Sequence, residues 1–315
     1  MNFQREAILD RARGALVATA VADALGAGYE FQEPLPETKA VEFKAGIFTL
    51  GEYTDDTAMM VAIARAASQG NLITQPDLVA EEFFAWVESD PKDIGVQTRQ
   101  IFRMAKGRTA NDLVQAATEF LDANEKAAGN GSLMRTASVA LPFLSTPESI
   151  AIAADQISSL THMELDCREA CVIWSKAIRH AILFENFDGI QLAINDLPAF
   201  RQNYWNEIFD QAEAAASPSE FNNNGWVIHA LQAAYKAIRS TQSEDPSHLV
   251  AGIEVAVRVG NDTDTVAAIA GGLLGARWGY SAIPKAWLKP IHGWPGYQVK
   301  DLVKLADEIT EAIWL

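Results

Sequence analysis

Two short stretches of the 315-residue chain concentrate oxygen ligands. Gly260-Asn261-Asp262-Thr263-Asp264-Thr265 carries carboxylates at i and i+2 and opens a run of small apolar residues over 266–278. Thr54-Asp55-Asp56-Thr57, about two hundred residues earlier, leads into a second such run over 58–67. One Asp or Thr at such a position is ordinary helix capping, because its side-chain oxygen accepts from the first free N–H groups. Two Asp and two Thr exceed what one helix start uses. All-oxygen donor sets of this density suit a hard divalent cation such as Mg²⁺, Mn²⁺ or Ca²⁺. If the two starts face one another, four carboxylates and at least two hydroxyls converge. Like charges in a partly dry site cannot all stay ionised. Two divalent cations about 3.5–4 Å apart remove that conflict. Coincident capping of two unrelated helices would give the same sequence pattern.

Other loops carry ligand-binding residue types. Gly129-Asn130-Gly131-Ser132-Leu133-Met134-Arg135 precedes a predicted helix, and its glycines, Ser132 and the helix start make a sound phosphate cradle. A Gly-Asn-Gly stretch also makes ordinary turns. Thr161-His162 sits between two predicted helices, where a lone His is often a cap or a packed side chain. Pro91-Lys92-Asp93-Ile94-Gly95 is a polar loop entering a helix that Asp93 could simply cap. Glu30 follows the first helix, in a loop where a single acid is commonly solvated. The chain shows no Ser-His-Asp order, no nucleophilic Cys beside a His, and no Walker or Rossmann glycine pattern.

The elements that must position these residues read as helices. Helical periodicity predicts them over 5–27, 55–69, 76–88, 96–105, 110–121, 132–143, 147–159, 164–185, 224–239, 247–259, 264–278 and 298–313. Two bits, 40–43 and 46–50, are β-prone, and 186–224 stays unassigned. Glycines spaced three or four apart near residue 26 let another backbone approach closely. The two acidic stretches must meet, so residues 1–315 are expected to form one domain.

Composition narrows the partners. A formal charge of −16, from 25 Lys and Arg against 41 Asp and Glu, argues against nucleic acid or an anionic membrane. Apolar residues at 49% and charged ones at 21% are those of a globular chain. The two cysteines, Cys167 and Cys171, read as buried small apolar residues, which fits a cytoplasmic protein. Arg11 and Arg13 ahead of residues 14–21 resemble a short signal peptide. Asp10 and Asp23 flank the run, and the same residues fit an amphipathic first helix of the mature chain. No run of eighteen uncharged apolar residues offers a membrane span.

Together these motifs resemble the ADP-ribosylglycohydrolase family, in the family's own order, from Gly14 to about Gly279. The resemblance rests on Asp23-Ala24-Leu25-Gly26 with Glu30, on both acidic stretches, on Gly129-Asn130-Gly131-Ser132 with Met134-Arg135, and on Thr161-His162. Ala22, where the family more often has Gly, is a departure that adds a methyl group. The resemblance implies an all-α, orthogonal helical bundle with a cleft for two Mg²⁺ or Mn²⁺ ions. It makes Thr54, Asp55, Asp56, Asp262, Asp264 and Thr265 the metal ligands and places Glu30 along the metal cleft. Asp93, Glu30, Asp56 and Asp264 become the catalytic acids, and Gly129, Asn130, Gly131, Ser132 and His162 the substrate-binding set. The Asp93-Ile94-Gly95 loop is similar to one that, in arginine-specific members, puts an Asp beside the scissile bond. The implied function is removal of ADP-ribose from a modified protein, with arginine the favoured acceptor and a monomer the expected form. ADP-ribosyl-serine, O-acetyl-ADP-ribose, or ADP-ribose binding without turnover are the alternatives.

Overall fold

The computed structural model describes residues 2–124 and 126–311, and the chain is helical nearly throughout. Its first part holds α1 (Asn2–Gly26), α2 (Asp55–Gln69), α3 (Asp77–Glu88), α4 (Val96–Met104) and α5 (Ala110–Ala123). Next come α6 (Pro147–Ser159), α7 (Leu165–Phe184), α8 (Gly189–Asn195) and α9 (Ala199–Ala214). The chain continues through α10 (Val227–Ser240), α11 (Ser247–Val257), α12 (Thr263–Trp278), α13 (Lys285–Leu288) and α14 (Val299–Glu311). A two-residue hairpin, β1 (His292–Gly293) against β2 (Tyr297–Gln298), is antiparallel with His292 opposite Gln298. The all-α fold is as expected. No helix among the described residues is long and apolar enough to cross a membrane.

α12 is the axis of the fold. Every residue from Thr263 to Ala276 is buried, as expected for a helix apolar on all sides. α1 lies along it, with α7, α10 and α11 on its other faces. Small residues make that approach possible. A Cβ on Gly14 would fall 2.3 Å from the Gly275 carbonyl oxygen, and one on Gly275 2.1 Å from that of Gly14. At the other end, a Cβ on Gly26 would fall 2.4 Å from the Asp264 Cα. The end of α1 therefore abuts the first turn of α12, which brings Asp23 and Glu30 to the second acidic stretch.

One helix expectation fails, and two open readings are resolved. Residues 132–143 are not an α-helix but short 3-10 turns at Asn130–Ser132, Thr136–Ser138 and Leu141–Phe143. Pro142 interrupts any helix there, and the segment is buried on all sides. Its polar groups bond to neighbouring helices: Ser138 donates to the Met60 carbonyl (3.1 Å) and Arg135 to that of Ile157 (3.0 Å). Tertiary partners override local propensity. The β-prone bits at 40–43 and 46–50 form no strand. The unassigned 186–224 holds α8 and α9, whose buried Trp205, Ile208, Phe209 and Ala212 follow helical spacing. Residues 312–313 of the last expected helix lie outside the described residues.

Candidate metal centre and ligand cleft

Both acidic stretches open helices, and those helix starts meet. Asp23, Asp56 and Asp264, all buried, each offer a carboxylate oxygen within 4.8 Å of the others. Glu30, Asp262 and Asp264 form a second such group, so Asp264 belongs to both. α1 supplies Asp23, which fixes the start of α2. Its carboxylate accepts from the Thr54 N–H (3.0 Å), the Thr57 N–H (3.0 Å) and the Thr57 hydroxyl (2.5 Å). Thr54 donates its hydroxyl to Asp56 at 2.9 Å.

Capping does not account for the cluster. Asp262, at the α12 N-cap position, makes no capping hydrogen bond. Its carboxylate accepts instead from Asn130 at 2.7 Å, while its N–H donates to Asn224 at 3.1 Å. Asp56 Oδ1 is buried with no hydrogen-bond partner. Burial pushes Asp23 up to about 6, even against its hydrogen bonds from Thr57 and Thr54. Asp56 and Asp264 stand well above the usual carboxylate range, through burial and then through neighbouring negative charge, that of Asp23 first for Asp56 and that of Asp56 first for Asp264. Burial and the charge of Asp262 raise Glu30 to about 8. The Thr265 hydroxyl opposes the rise at Asp56 and Asp262. A buried all-oxygen set with an orphaned carboxylate oxygen fits hard divalent cations.

Of the expected ligands, Asp56, Asp262 and Asp264 fall in these groups, with Thr54 and Thr265 against them. Asp55 is half-buried outside both groups, raised to about 7 by burial and the nearby Asp93, and accepts from the Gly95 N–H at 3.3 Å. Asp93 is not a helix cap. The α4 cap residue is Gly95, and Asp93 accepts only from the next N–H, that of Ile94, at 2.8 Å. The sequence motif alone gives Asp23 no role. The signal for one was a carboxylate in the middle of an otherwise small, apolar helix end.

The 129–132 loop joins the same cleft. Asn130 donates to the Asn224 carbonyl (2.8 Å) as well as to Asp262, and Asn224 donates to the Gly260 carbonyl (2.9 Å). The Asn222-Asn223-Asn224-Gly225 turn thus ties the glycine loop to the acidic stretch. The helix start facing the loop is not the expected one. α4 turns its first residues towards it: a Cβ on Gly131 would lie 3.4 Å from Thr98 Oγ1, and one on Gly129 3.5 Å from Gln97 Oε1. Free first-turn N–H groups and a partial positive charge come with that helix start. The Ser132 hydroxyl is turned inward, bonded to Ser158 at 3.0 Å and approached by Cys171 at 3.4 Å, so it is not offered to a ligand. Cys167 donates to the Gly129 carbonyl (3.3 Å), and both thiols are buried and free, as read from sequence. His162 is buried with its Nε2 edge against the loop, 3.3 Å and 3.2 Å from where Cβ atoms on Gly129 and Gly131 would be.

On the Asp55 side opens a cleft of about 710 Å³. Phe48, Trp86 and Trp294 line it, together with Glu52, Asp90 and Asp93. Lys92 also borders it and is paired with Glu52 at 2.6 Å. The hairpin wall is clamped to the α2 entry: Tyr53 donates from its N–H to the His292 carbonyl (2.9 Å) and from its hydroxyl to that of Trp294 (2.7 Å).

The chain is similar to known proteins over nearly its whole length. The ADP-ribosylglycohydrolase family model matches residues 4–314. ADP-ribosyl-[dinitrogen reductase] glycohydrolase of Rhodospirillum rubrum is 27% identical over 291 residues, covering 90% of each chain. ADP-ribosylarginine hydrolase Tri1 of Serratia proteamaculans (strain 568) is 28% identical over 293 residues, 89% of this chain and 75% of its own. A solved ADP-ribosylglycohydrolase-related protein complex superposes with a TM-score of 0.74 at 27% identity, covering 97% of this chain and 99% of that one. With the family model spanning the acidic stretches, the glycine loop and the helices that carry them, this chain belongs to the ADP-ribosylglycohydrolase family.

Proposed function

We propose that the protein removes ADP-ribose from a modified arginine side chain. The acceptor assignment is carried by Asp93, not used as a helix cap and half-buried at the mouth of an acid-lined, aromatic cleft beside the carboxylate cluster. A guanidinium pairs with carboxylates through planar forked hydrogen bonds and stacks on aromatic faces. A serine acceptor, neutral and small, uses neither feature. One relative named above is an ADP-ribosylarginine hydrolase, which supports the same acceptor.

In this reading the diphosphate lies where the 129–132 loop, the α4 start and His162 converge, and the distal ribose reaches the carboxylates. Asp23, Glu30, Asp56, Asp262 and Asp264, with Thr54, Asp55 and Thr265, would hold two divalent cations, Mg²⁺ or Mn²⁺. Such ions, when bound, supply positive charge to the ribose hydroxyls and acidify a water. The bond between C1″ and the guanidine nitrogen breaks through an oxocarbenium-like state, and the water oxygen joins C1″. Asp93 pairs with the guanidine as it regains its proton. Glu30, its carboxylate grouped with those of Asp262 and Asp264, is placed to take the proton of the water.

The test is hydrolysis of ADP-ribosyl-arginine and ADP-ribosyl-serine peptides side by side, with Mn²⁺ or Mg²⁺. Release of ADP-ribose from the arginine peptide is expected. Release from the serine peptide alone overturns the acceptor, and release from neither overturns the hydrolase.

A further inference from the structure

Arg135 is fully buried, yet among the described residues no carboxylate pairs with it. Its guanidinium lies 4.7 Å from the Phe83 ring and donates to the Ile157 carbonyl (3.0 Å) and to Thr161 Oγ1 (2.8 Å). Its Nε has no partner. A buried cation left without a counter-charge is costly, and a cheaper apolar side chain would fill the same space. Something at this position uses the cation.

Thr161 shows what. Its hydroxyl is buried and has two neighbours, Arg135 Nη2 and, at 2.8 Å, His162 Nδ1. A guanidinium only donates, so Thr161 Oγ1 accepts from Arg135. The hydroxyl proton then has one acceptor within reach, the His162 Nδ1 lone pair. Were Nδ1 protonated, the Thr161 proton would be left buried without a partner. The imidazole is therefore neutral, with its proton on Nε2. Burial, and then the charge of Arg135, hold its pKa well below the usual histidine value. Among the described residues Nε2 has no hydrogen-bond partner, and it faces Gly129 and Gly131. The His162 N–H bonds to the Ser158 carbonyl at 2.8 Å, which fixes the backbone that carries the ring.

We infer that Arg135 and Thr161 are positioning residues that lock His162 as the Nε2–H tautomer, so that a fixed N–H is aimed at a ligand oxygen in the 129–132 loop. A histidine free to tautomerise would present a lone pair to that oxygen part of the time. This inference rests on the proposed placement of the diphosphate. It also explains why Arg135 closes the same seven-residue stretch that begins at Gly129: one segment supplies both the cradle and the residue that orients the histidine facing it.

The test reads the tautomer directly, by ¹⁵N NMR of the imidazole in the intact protein, and reads binding with ADP-ribose as the probe. Parent protein and Thr161→Ser are expected to show Nε2 protonated and Nδ1 bare. Thr161→Val and Arg135→Met are expected to show a mixture, with ADP-ribose binding weakened about tenfold while Thr161→Ser keeps it. If Arg135→Met loses its cooperative unfolding transition, Thr161→Val removes the same hydroxyl and decides the outcome. Nδ1 protonated in the parent, or an unchanged tautomer and affinity in folded Thr161→Val, overturns the inference. The tautomer is measured without turnover, so its failure is distinct from failure of the arginine acceptor.

Discussion

Two regions of the molecule bury charge without matching it, and they do so with opposite signs. Around Asp264, the carboxylates of Asp23, Asp56 and Asp262 gather with Glu30, and no Lys or Arg bonds to any of them among the described residues. Behind the 129–132 loop, Arg135 sits without an acid. Were these two regions structural ballast, pairing them would have been the cheaper arrangement. Keeping them apart leaves one place that favours a cation and another that favours an anion. A substrate with a diphosphate at one end and a sugar to be gripped through cations at the other fits that separation. The two also differ in hydrogen bonding. Each leaves one buried atom unpartnered, Asp56 Oδ1 and Arg135 Nε, but the basic side also donates to Thr161 and a carbonyl and passes the effect on through His162.

The sharpest way to break this division is at Asp93, which would add proton chemistry to an acidic side otherwise built to hold cations. Asp93→Asn keeps the shape and the hydrogen bond from the Ile94 N–H but not the charge. Hydrolysis of ADP-ribosyl-arginine should fall by about 10²–10⁴-fold, with ADP-ribose affinity and unfolding temperature near the parent values. Turnover close to the parent rate would leave the acidic side with a purely cation-holding role.

Asp56→Ala addresses the cation-holding itself. Loss of an outer partner of a metal ligand costs about 10–100-fold in affinity, so loss of a carboxylate with an otherwise unpartnered oxygen should cost at least that. Mn²⁺ titration by calorimetry checks it. Full activity of the parent protein in excess chelator would remove the metal centre altogether.

On the basic side the expected effect is smaller. Gly131 has an ordinary negative φ, so space rather than backbone freedom demands glycine there. A Cβ would lie 3.0 Å from His162 Cε1, and a valine would fill the gap between the loop and the imidazole. Gly131→Val should weaken ADP-ribose binding by about 10-fold, the scale of one charge-assisted hydrogen bond, with a lesser loss of thermal stability. Equal losses in both would make the loop a structural turn.

How far the sequence disclosed this division depends on the side. The acidic stretches were legible because two carboxylates at a helix mouth exceed capping needs, and small apolar residues marked α12 as the central helix. Asp23 escaped because its role appears only when the end of α1 packs at Gly26 against the first turn of α12, a contact that no local pattern encodes. The basic side was read in outline and wrongly in detail. Residues 132–143 have helical apolar spacing, yet they fold as 3-10 turns because Arg135 and Ser138 find partners on other helices. Gln97 and Thr98 lie about thirty residues from the loop they face, and nothing in their own neighbourhood sets them apart. Arg135 ends a motif with nothing local to mark it, since a buried unpaired cation cannot be recognised until its surroundings are known.

The smallest effect expected is a slope of stability with pH, and it separates the two regions by sign. The carboxylates have folded-state pKa values above those of the unfolded chain, with Asp55 near 7 and Glu30 near 8. Unfolded carboxylates titrate near 4. Between those limits the folded protein without cations holds more protons than the unfolded chain, so its stability falls as pH rises. Histidines act the other way. His162, His229 and His248 have lowered pKa values in the fold, so they cost stability as pH falls below about 6.5 and little above it. Cys167 and Cys171, whose pKa values burial raises, come into play only above about 8.5. The window from pH 6.5 to 8 thus belongs to the acidic side. In chelator, the unfolding temperature should drop across that window. Saturating Mn²⁺ should raise it at both ends, and more at pH 8, where protons no longer compete for the carboxylates. Equal Mn²⁺ increments at pH 6.5 and pH 8, or a metal-free protein that gains stability towards pH 8, would mean that the carboxylates are already balanced within the fold and need no cation.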